Sequence, residues 1–179
     1  MKEIRLHGRG GQGVVKASHI VVKAAVNAGG CGQFIPFFGV ERKGSPVYGY
    51  LRLDDAPIRR KMQVYEPEII LIFDDTLLSM KETYAGLMDG GTVIVNTKKP
   101  VSELGLPPQT GRAATVDATG IALELLGKNI PNTTMLGAFA RITGLVDWEI
   151  LQAEIGAAFG EKNRQAAQAA YERVACTQL

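Results

Sequence analysis

Glu3-Ile-Arg-Leu-His7 runs into Gly8-Arg-Gly-Gly-Gln-Gly13 and then into Val14-Val-Lys-Ala17, and this stretch decides the fold. Ile4 and Leu6 alternate with Arg5 and His7, the two-residue period of a strand. After the glycines, Val14, Ala17, Val21, Ala25 and Ala28 recur at three- and four-residue steps, widened by Val15, Val22 and Val26. Lys16, Lys23 and Asn27 fall opposite that stripe, so the spacing predicts an amphipathic helix stopped by Gly29-Gly30. Strand, glycine loop and helix together form the entry unit of an α/β domain. The loop matches G-x-G-x-x-G, in which glycines allow a tight turn and the helix start turns unpaired N–H groups towards an anion, typically a diphosphate. A glycine-rich turn that merely packs the first helix is the plainer reading of the same residues.

Outward from this unit, Gln33–Phe38 and Val47–Leu53 read as β-runs separated by about eight residues, too few for a parallel crossover. They are expected to pair antiparallel. Ile69–Phe73, Thr92–Asn96 and Ala114–Asp117 read as buried strands, with a helix over Thr76–Leu87 and a Pro/Lys-rich loop from Thr97 to Pro108. Helices are predicted over 118–126, 133–143, 147–159 and 161–175, with Asn132 and Asp147 as N-caps. The expectation is one domain, 1–179, a three-layer α/β/α fold on a mixed, mostly parallel sheet.

Composition narrows the function. With 46% hydrophobic and 21% charged residues the chain is neither disordered nor fibrous. No stretch reads as about 20 apolar membrane-spanning residues. Cys31 and Cys176 stand far apart, which argues against a disulfide framework and for a reducing cytoplasm. The charged start, leading straight into the motif, leaves no room for a signal peptide. The net charge of +2 hides an asymmetry: through Met62 there are eleven Lys/Arg against four acids, and afterwards nine against fourteen. The N-terminal part is therefore suited to an anionic partner, or is a solvated basic face.

Specific motifs then fail or hold. A dinucleotide site expects an acid about 20 residues beyond the loop, yet none occurs between Glu3 and Glu41; Arg9, Lys16 and Lys23 make the region cationic. No Gly-Lys-Ser/Thr follows, which excludes a Walker A loop. Phe38-Gly-Val-Glu-Arg-Lys-Gly-Ser-Pro46 forms a second polar loop, where Arg42 and Ser45 are placed to grip an anion or simply to keep a connection solvated. There is no Cys-x-x-Cys run, no Gly-x-Ser-x-Gly elbow, and His7 and His19 lack a metal-spaced carboxylate. Asp74-Asp75 at a strand end reads first as a cap for the next turn.

The glycine loop, Phe38–Val47, Tyr65-Glu-Pro-Glu68 before Ile69–Phe73, and Asn132-Thr-Thr-Met-Leu-Gly-Ala138 in this order resemble one family across essentially the whole chain. It is the gamma subunit of 2-oxoacid:ferredoxin oxidoreductases, equivalent to one domain of the fused pyruvate:ferredoxin enzyme. Glu41-Arg-Lys-Gly-Ser-Pro46 looks closer to the pyruvate branch, with Lys43 where a second arginine often stands.

The resemblance implies a subunit, not catalytically complete alone, of an enzyme that oxidatively decarboxylates a 2-oxoacid with coenzyme A and reduces ferredoxin. It implies thiamine diphosphate and iron–sulfur clusters on alpha, beta and delta-type partner subunits. It further implies a coenzyme A site partly enclosed by Gly8, Arg9, Gly10, Gly11, Gln12 and Gly13, with Arg42, Gly44 and Ser45 second. No catalytic residue, metal, nucleic acid or membrane is expected of this chain, and self-association of the isolated chain stays open. Two alternatives remain at this stage: a free-standing NAD(P)- or nucleotide-binding module, and an assembly subunit whose loop binds nothing.

Overall fold

The computed structural model describes residues 1–37 and 44–179. Its strands are β1 (Lys2–Arg9), β2 (Cys31–Phe37), β3 (Pro46–Asp54), β4 (Ile69–Ile72), β5 (Gly91–Asn96), β6 (Thr110–Val116) and β7 (Ala175–Gln178). They form one sheet in the order β2-β3-β1-β4-β5-β6-β7. β1, β4, β5 and β6 pair parallel, while β3 and β7 run against their neighbours and β2 pairs antiparallel with β3 as expected. The helices are α1 (Val14–Asn27), α2 (Lys81–Tyr84), α3 (Ala118–Leu126), α4 (Asn132–Thr143), α5 (Trp148–Phe159) and α6 (Glu161–Arg173). Among the described residues no helix is long and apolar enough to cross a membrane.

Strand alternation sends one set of side chains to each face. Ile4, Leu6, Leu51, Leu53, Leu71 and Ile94 share one core with the apolar faces of α1 and of α3 to α6. Ile70, Ile72, Val93 and Val95 point the other way, against Leu77, Leu87 and Leu104. Each such fully buried side chain stabilises the fold by roughly 1.5–3 kcal/mol. The second face is thin, covered by short turns and α2, whereas the first carries five helices. Its tightest crossing is α4 on α6, where a Cβ on Gly137 would overlap the Ala167 carbonyl oxygen.

Two expected helix bounds are corrected. The span 76–87 is not one helix: a 3-10 turn over Asp75–Ser79 ends at Met80 in extended conformation, and only the single turn of α2 follows. The break lies at Met80, whose φ −89° and ψ 118° are extended, while Asp74 caps the start of the 3-10 turn by accepting from Thr76 N. The last helix stops at Arg173, not 175, because Ala175–Gln178 leaves it to cover the open edge of β6. Of the two expected caps, Asp147 accepts from Ile150 N at 2.9 Å. Asn132 does not cap; it is the first helical residue after Pro131.

Candidate functional site

β1 delivers the chain to the glycine loop at the sheet's rim, where the Arg9 and Gln12 side chains tie the turn to its surroundings. Arg9 N donates to Gln12 Oε1 at 2.7 Å, and Gln12 Nε2 donates to Asp74 Oδ2 at 2.7 Å. The Arg9 guanidinium donates to Thr76 Oγ1 through Nε and Nη2 and to the Gly44 carbonyl through Nη1, and lies 3.5 Å from Asp74. Burial works to raise the Asp74 carboxyl, but hydrogen bonds from Thr76 and Gln12 and the Arg9 charge hold it below its ordinary value. Arg9 and Gln12 thus act as a clamp between loop and strand end. Gly8 is required for that closure, since a Cβ there would lie 2.5 Å from Val14 Cγ2.

Besides the Arg9–Gly44 contact, backbone bonds join the second loop to the first. Gly10 N donates to the Ser45 carbonyl at 2.9 Å and Gly44 N to the Gly10 carbonyl at 3.3 Å. Arg42 lies outside the described residues.

The clamp leaves the start of α1 open. Gly13 holds the N-cap position at φ 78° with no side-chain cap, and the first helical bond, Ala17 N to Gly13 O, starts only there. The N–H groups of Val14, Val15 and Lys16 therefore have no acceptor among the described residues, an anion-binding arrangement. Asn132, only 4% exposed, packs where a Gly13 Cβ would be, its Nδ2 2.5 Å from that position. Its Oδ1 accepts from Thr133 N, while Nδ2 has no acceptor among the described residues.

A cleft of about 870 Å³ opens above this helix start. Arg9, Gly10, Gly11 and Gly13 form part of its floor; Leu126 at the end of α3, Lys128 and Ile130 just beyond it, and Phe159 to Asn163 at the α5–α6 junction, form its far wall. Lys16, Lys128 and Lys162 line it, and Glu161, the one acid among the described lining residues, is tied to Arg164 at 2.7 Å. The cleft is therefore cationic, with apolar surface from Val47, Ile130 and Phe159. Gly11, at φ 97° with open space around it, offers the closest backbone approach.

Of the residues expected from the sequence, Arg9, Gly10, Gly11 and Gly13 line the cleft and Gly8, Gln12, Gly44 and Ser45 do not; Asn132, Lys128 and Lys162, which line it too, come from the far end of the chain. The resemblance had already drawn attention to the Asn132 segment, but as a motif and a cap. Asp74 caps the next turn, and His19, exposed on α1, packs edge-on against the half-buried Phe34. Among the described residues no group of three or more His, Cys, Asp or Glu could hold a metal ion.

Comparison with known proteins follows the same lines. The model of the pyruvate ferredoxin/flavodoxin oxidoreductase family matches residues 3–173. The common gamma subunit of pyruvate/ketoisovalerate oxidoreductases from Thermococcus kodakarensis is 50% identical over the full length of both chains. A pyruvate oxidoreductase subunit from Thermotoga maritima superposes with a TM-score of 0.87 at 36% identity, covering 99% of this chain and 98% of that one. A 2-oxoglutarate:ferredoxin oxidoreductase from Magnetococcus marinus, whose structure holds 2-oxoglutarate, coenzyme A and succinyl-CoA, shares the fold at 17% identity and a TM-score of 0.74; the match covers 96% of this chain and 30% of that one.

Proposed function

The chain belongs to the pyruvate ferredoxin/flavodoxin oxidoreductase family, as a gamma subunit of a 2-oxoacid:ferredoxin oxidoreductase, and on that premise we propose that its glycine-loop cleft helps enclose coenzyme A. The observation that carries this reading is the row of unbonded N–H groups at the start of α1, beside the free Asn132 amide and three lysines. Coenzyme A brings a diphosphate and a separate ribose phosphate. The diphosphate suits the helix start, where each anion–helix interaction contributes roughly 0.3–1 kcal/mol. Lys128 and Lys162 lie on the far wall, where a second phosphate would need charge. The Magnetococcus enzyme, which shares this fold over 30% of its own chain, holds coenzyme A, in keeping with a coenzyme A-dependent complex.

The chemistry itself belongs to other subunits in this reading. Cys31 lies on β2 and Cys176 on β7, the two opposite edges of the sheet, so this chain's cysteines do not fit a cluster. We assign thiamine diphosphate and iron–sulfur clusters to the alpha, beta and delta-type partners, and ferredoxin to the complex as electron acceptor in the cytoplasm. Pyruvate is the favoured 2-oxoacid, from the Glu41–Pro46 wording. This chain's part is to hold the coenzyme so that its thiol meets the acyl intermediate on a neighbouring subunit, a gain in proximity.

Steady-state kinetics of the assembled oxidoreductase test the proposal. Lys128→Ala with Lys162→Ala is expected to raise KM for coenzyme A about tenfold, the equivalent of ~1.4 kcal/mol, and to leave KM for the 2-oxoacid unchanged. An unaltered KM for coenzyme A would refute it and favour a subunit with a purely structural role.

A further inference from the structure

A second cleft, of about 420 Å³, lies between β1, β3 and the segment running through α2, on the thin face of the sheet. Its floor holds Arg5, only 7% exposed. Arg5 Nε donates to His7 Nε2 at 3.0 Å, and Nη2 donates to the Thr83 and Ala85 carbonyls. Nη1 has no acceptor among the described residues, and no carboxylate among them lies within ion-pairing distance of the guanidinium. The same face shows how a buried arginine is otherwise accommodated: Arg52, fully buried on β3, pairs with Glu3 Oε1 at 2.7 Å.

His7 does not balance the charge either. Because its Nε2 accepts from Arg5, the ring carries its proton on Nδ1, and burial together with the Arg5 charge pushes its pKa down to about 3. The ring is neutral and stacks against Tyr48, which stacks in turn on Phe37. Tyr48, Tyr50, Val64, Leu77 and Met80 give the cleft aromatic and apolar walls, and Glu82 stands exposed in its lining without an ion pair to Arg5.

We propose that this cleft binds a carboxylate carried on an apolar or aromatic body, with Arg5 Nη1 as the charged donor. A buried unpaired cation favours an anion that is willing to leave water, and the walls favour one with an apolar body. One buried positive charge calls for one negative charge. A phosphate dianion would leave excess negative charge in a pocket that supplies few donors and already has Glu82 beside it. The carboxylate belongs either to a free organic acid or to an acidic side chain or C-terminus of a partner subunit. The inference does not depend on the coenzyme A reading, which concerns the other cleft.

The test is a titration of the full chain with benzoate, followed by NMR at the Arg5 Nε–H and Tyr48 ring signals. Benzyl alcohol serves as the uncharged control and inorganic phosphate as the dianion. Benzoate is expected to give saturable shifts at both signals, with benzyl alcohol and phosphate each at least tenfold weaker. Arg5→Lys, which keeps the charge but loses the fork, should weaken benzoate at least tenfold. Met80→Trp, which fills the cleft and leaves Arg5 in place, should abolish binding even if Arg5→Lys does not fold. Repeating the titration on the assembled oxidoreductase separates the two sources. Retained binding identifies a free acid, and binding lost on assembly identifies a partner's carboxylate. Absence of saturable shifts in the chain, equal affinity for benzoate and benzyl alcohol, or unchanged binding in Met80→Trp would overturn the proposal.

Discussion

Gly13 and Asn132 form the contact that makes the cleft floor possible. Gly13 is constrained twice, by φ 78° and by the Asn132 side chain occupying the place of its absent Cβ. Gly13→Ala is therefore expected to destabilise the chain by about 1–3 kcal/mol, or several degrees in Tm. Combining it with Asn132→Ala should recover the steric part and leave the backbone part, which thermal unfolding of the four variants resolves. The glycines were legible in sequence because their spacing is local. Asn132 was not, because nothing local distinguishes an amide aimed at a distant helix start from one that caps its own helix. Arg9 shows the converse. Its position in the loop suggested an anion ligand; it lines the cleft, and its guanidinium also engages Thr76, Gly44 and Asp74.

His7 carries a pH signature. Its folded pKa, about 3, lies below the ordinary value of 6.5, so the unfolded chain binds the extra proton first as pH falls. The sign is destabilising: stability is complete above about pH 6.5 and is lost as pH falls towards the folded value, by up to about 1.4 kcal/mol per unit. Urea unfolding at about pH 7.5 and about pH 5.5 should show this loss in the wild type and a smaller one in His7→Gln, which keeps an acceptor for Arg5. Equal slopes in both would contradict the buried neutral ring.

Elements with a strong period were legible at the sequence level, and those set by contact were not. Ala118–Leu126 was predicted to the residue because its apolar pattern, the Asp117 side chain at its start and Gly127 at its end agree. At 76–87 the apolar pattern was read as one helix, but the chain turns extended at Met80 between a 3-10 turn and the single turn of α2. β7 was invisible because all four of its residues are exposed and it exists only as a partner for β6. Helix pairing gives a prediction of its own. Gly137 lets α4 reach the α6 backbone, so Gly137→Ala must push the helices apart or distort one of them. A loss of about 1–3 kcal/mol or more in denaturant unfolding is expected, whereas Gly127→Ala, at φ 65° in open space, should lose only the backbone part, about 1–2 kcal/mol.

The molecule as a whole divides its labour between two faces and one rim. Five helices stabilise one face, the thin face holds Arg5 and His7, and the rim above β1 presents the helix start and the lysines. The charge asymmetry of the sequence pointed to the N-terminal part for an anion, whereas two of the three lysines that line the cleft belong to the acidic C-terminal part. Folding, rather than charge order along the chain, concentrates them. The most direct measurement is a crystal or cryo-electron microscopy structure of the assembled oxidoreductase with coenzyme A. The account predicts the coenzyme diphosphate within about 3 Å of the Val14–Lys16 N–H groups and Asn132 Nδ2, with its ribose phosphate towards Lys128 and Lys162. Coenzyme A seated on the other subunits, with this cleft empty, would contradict it.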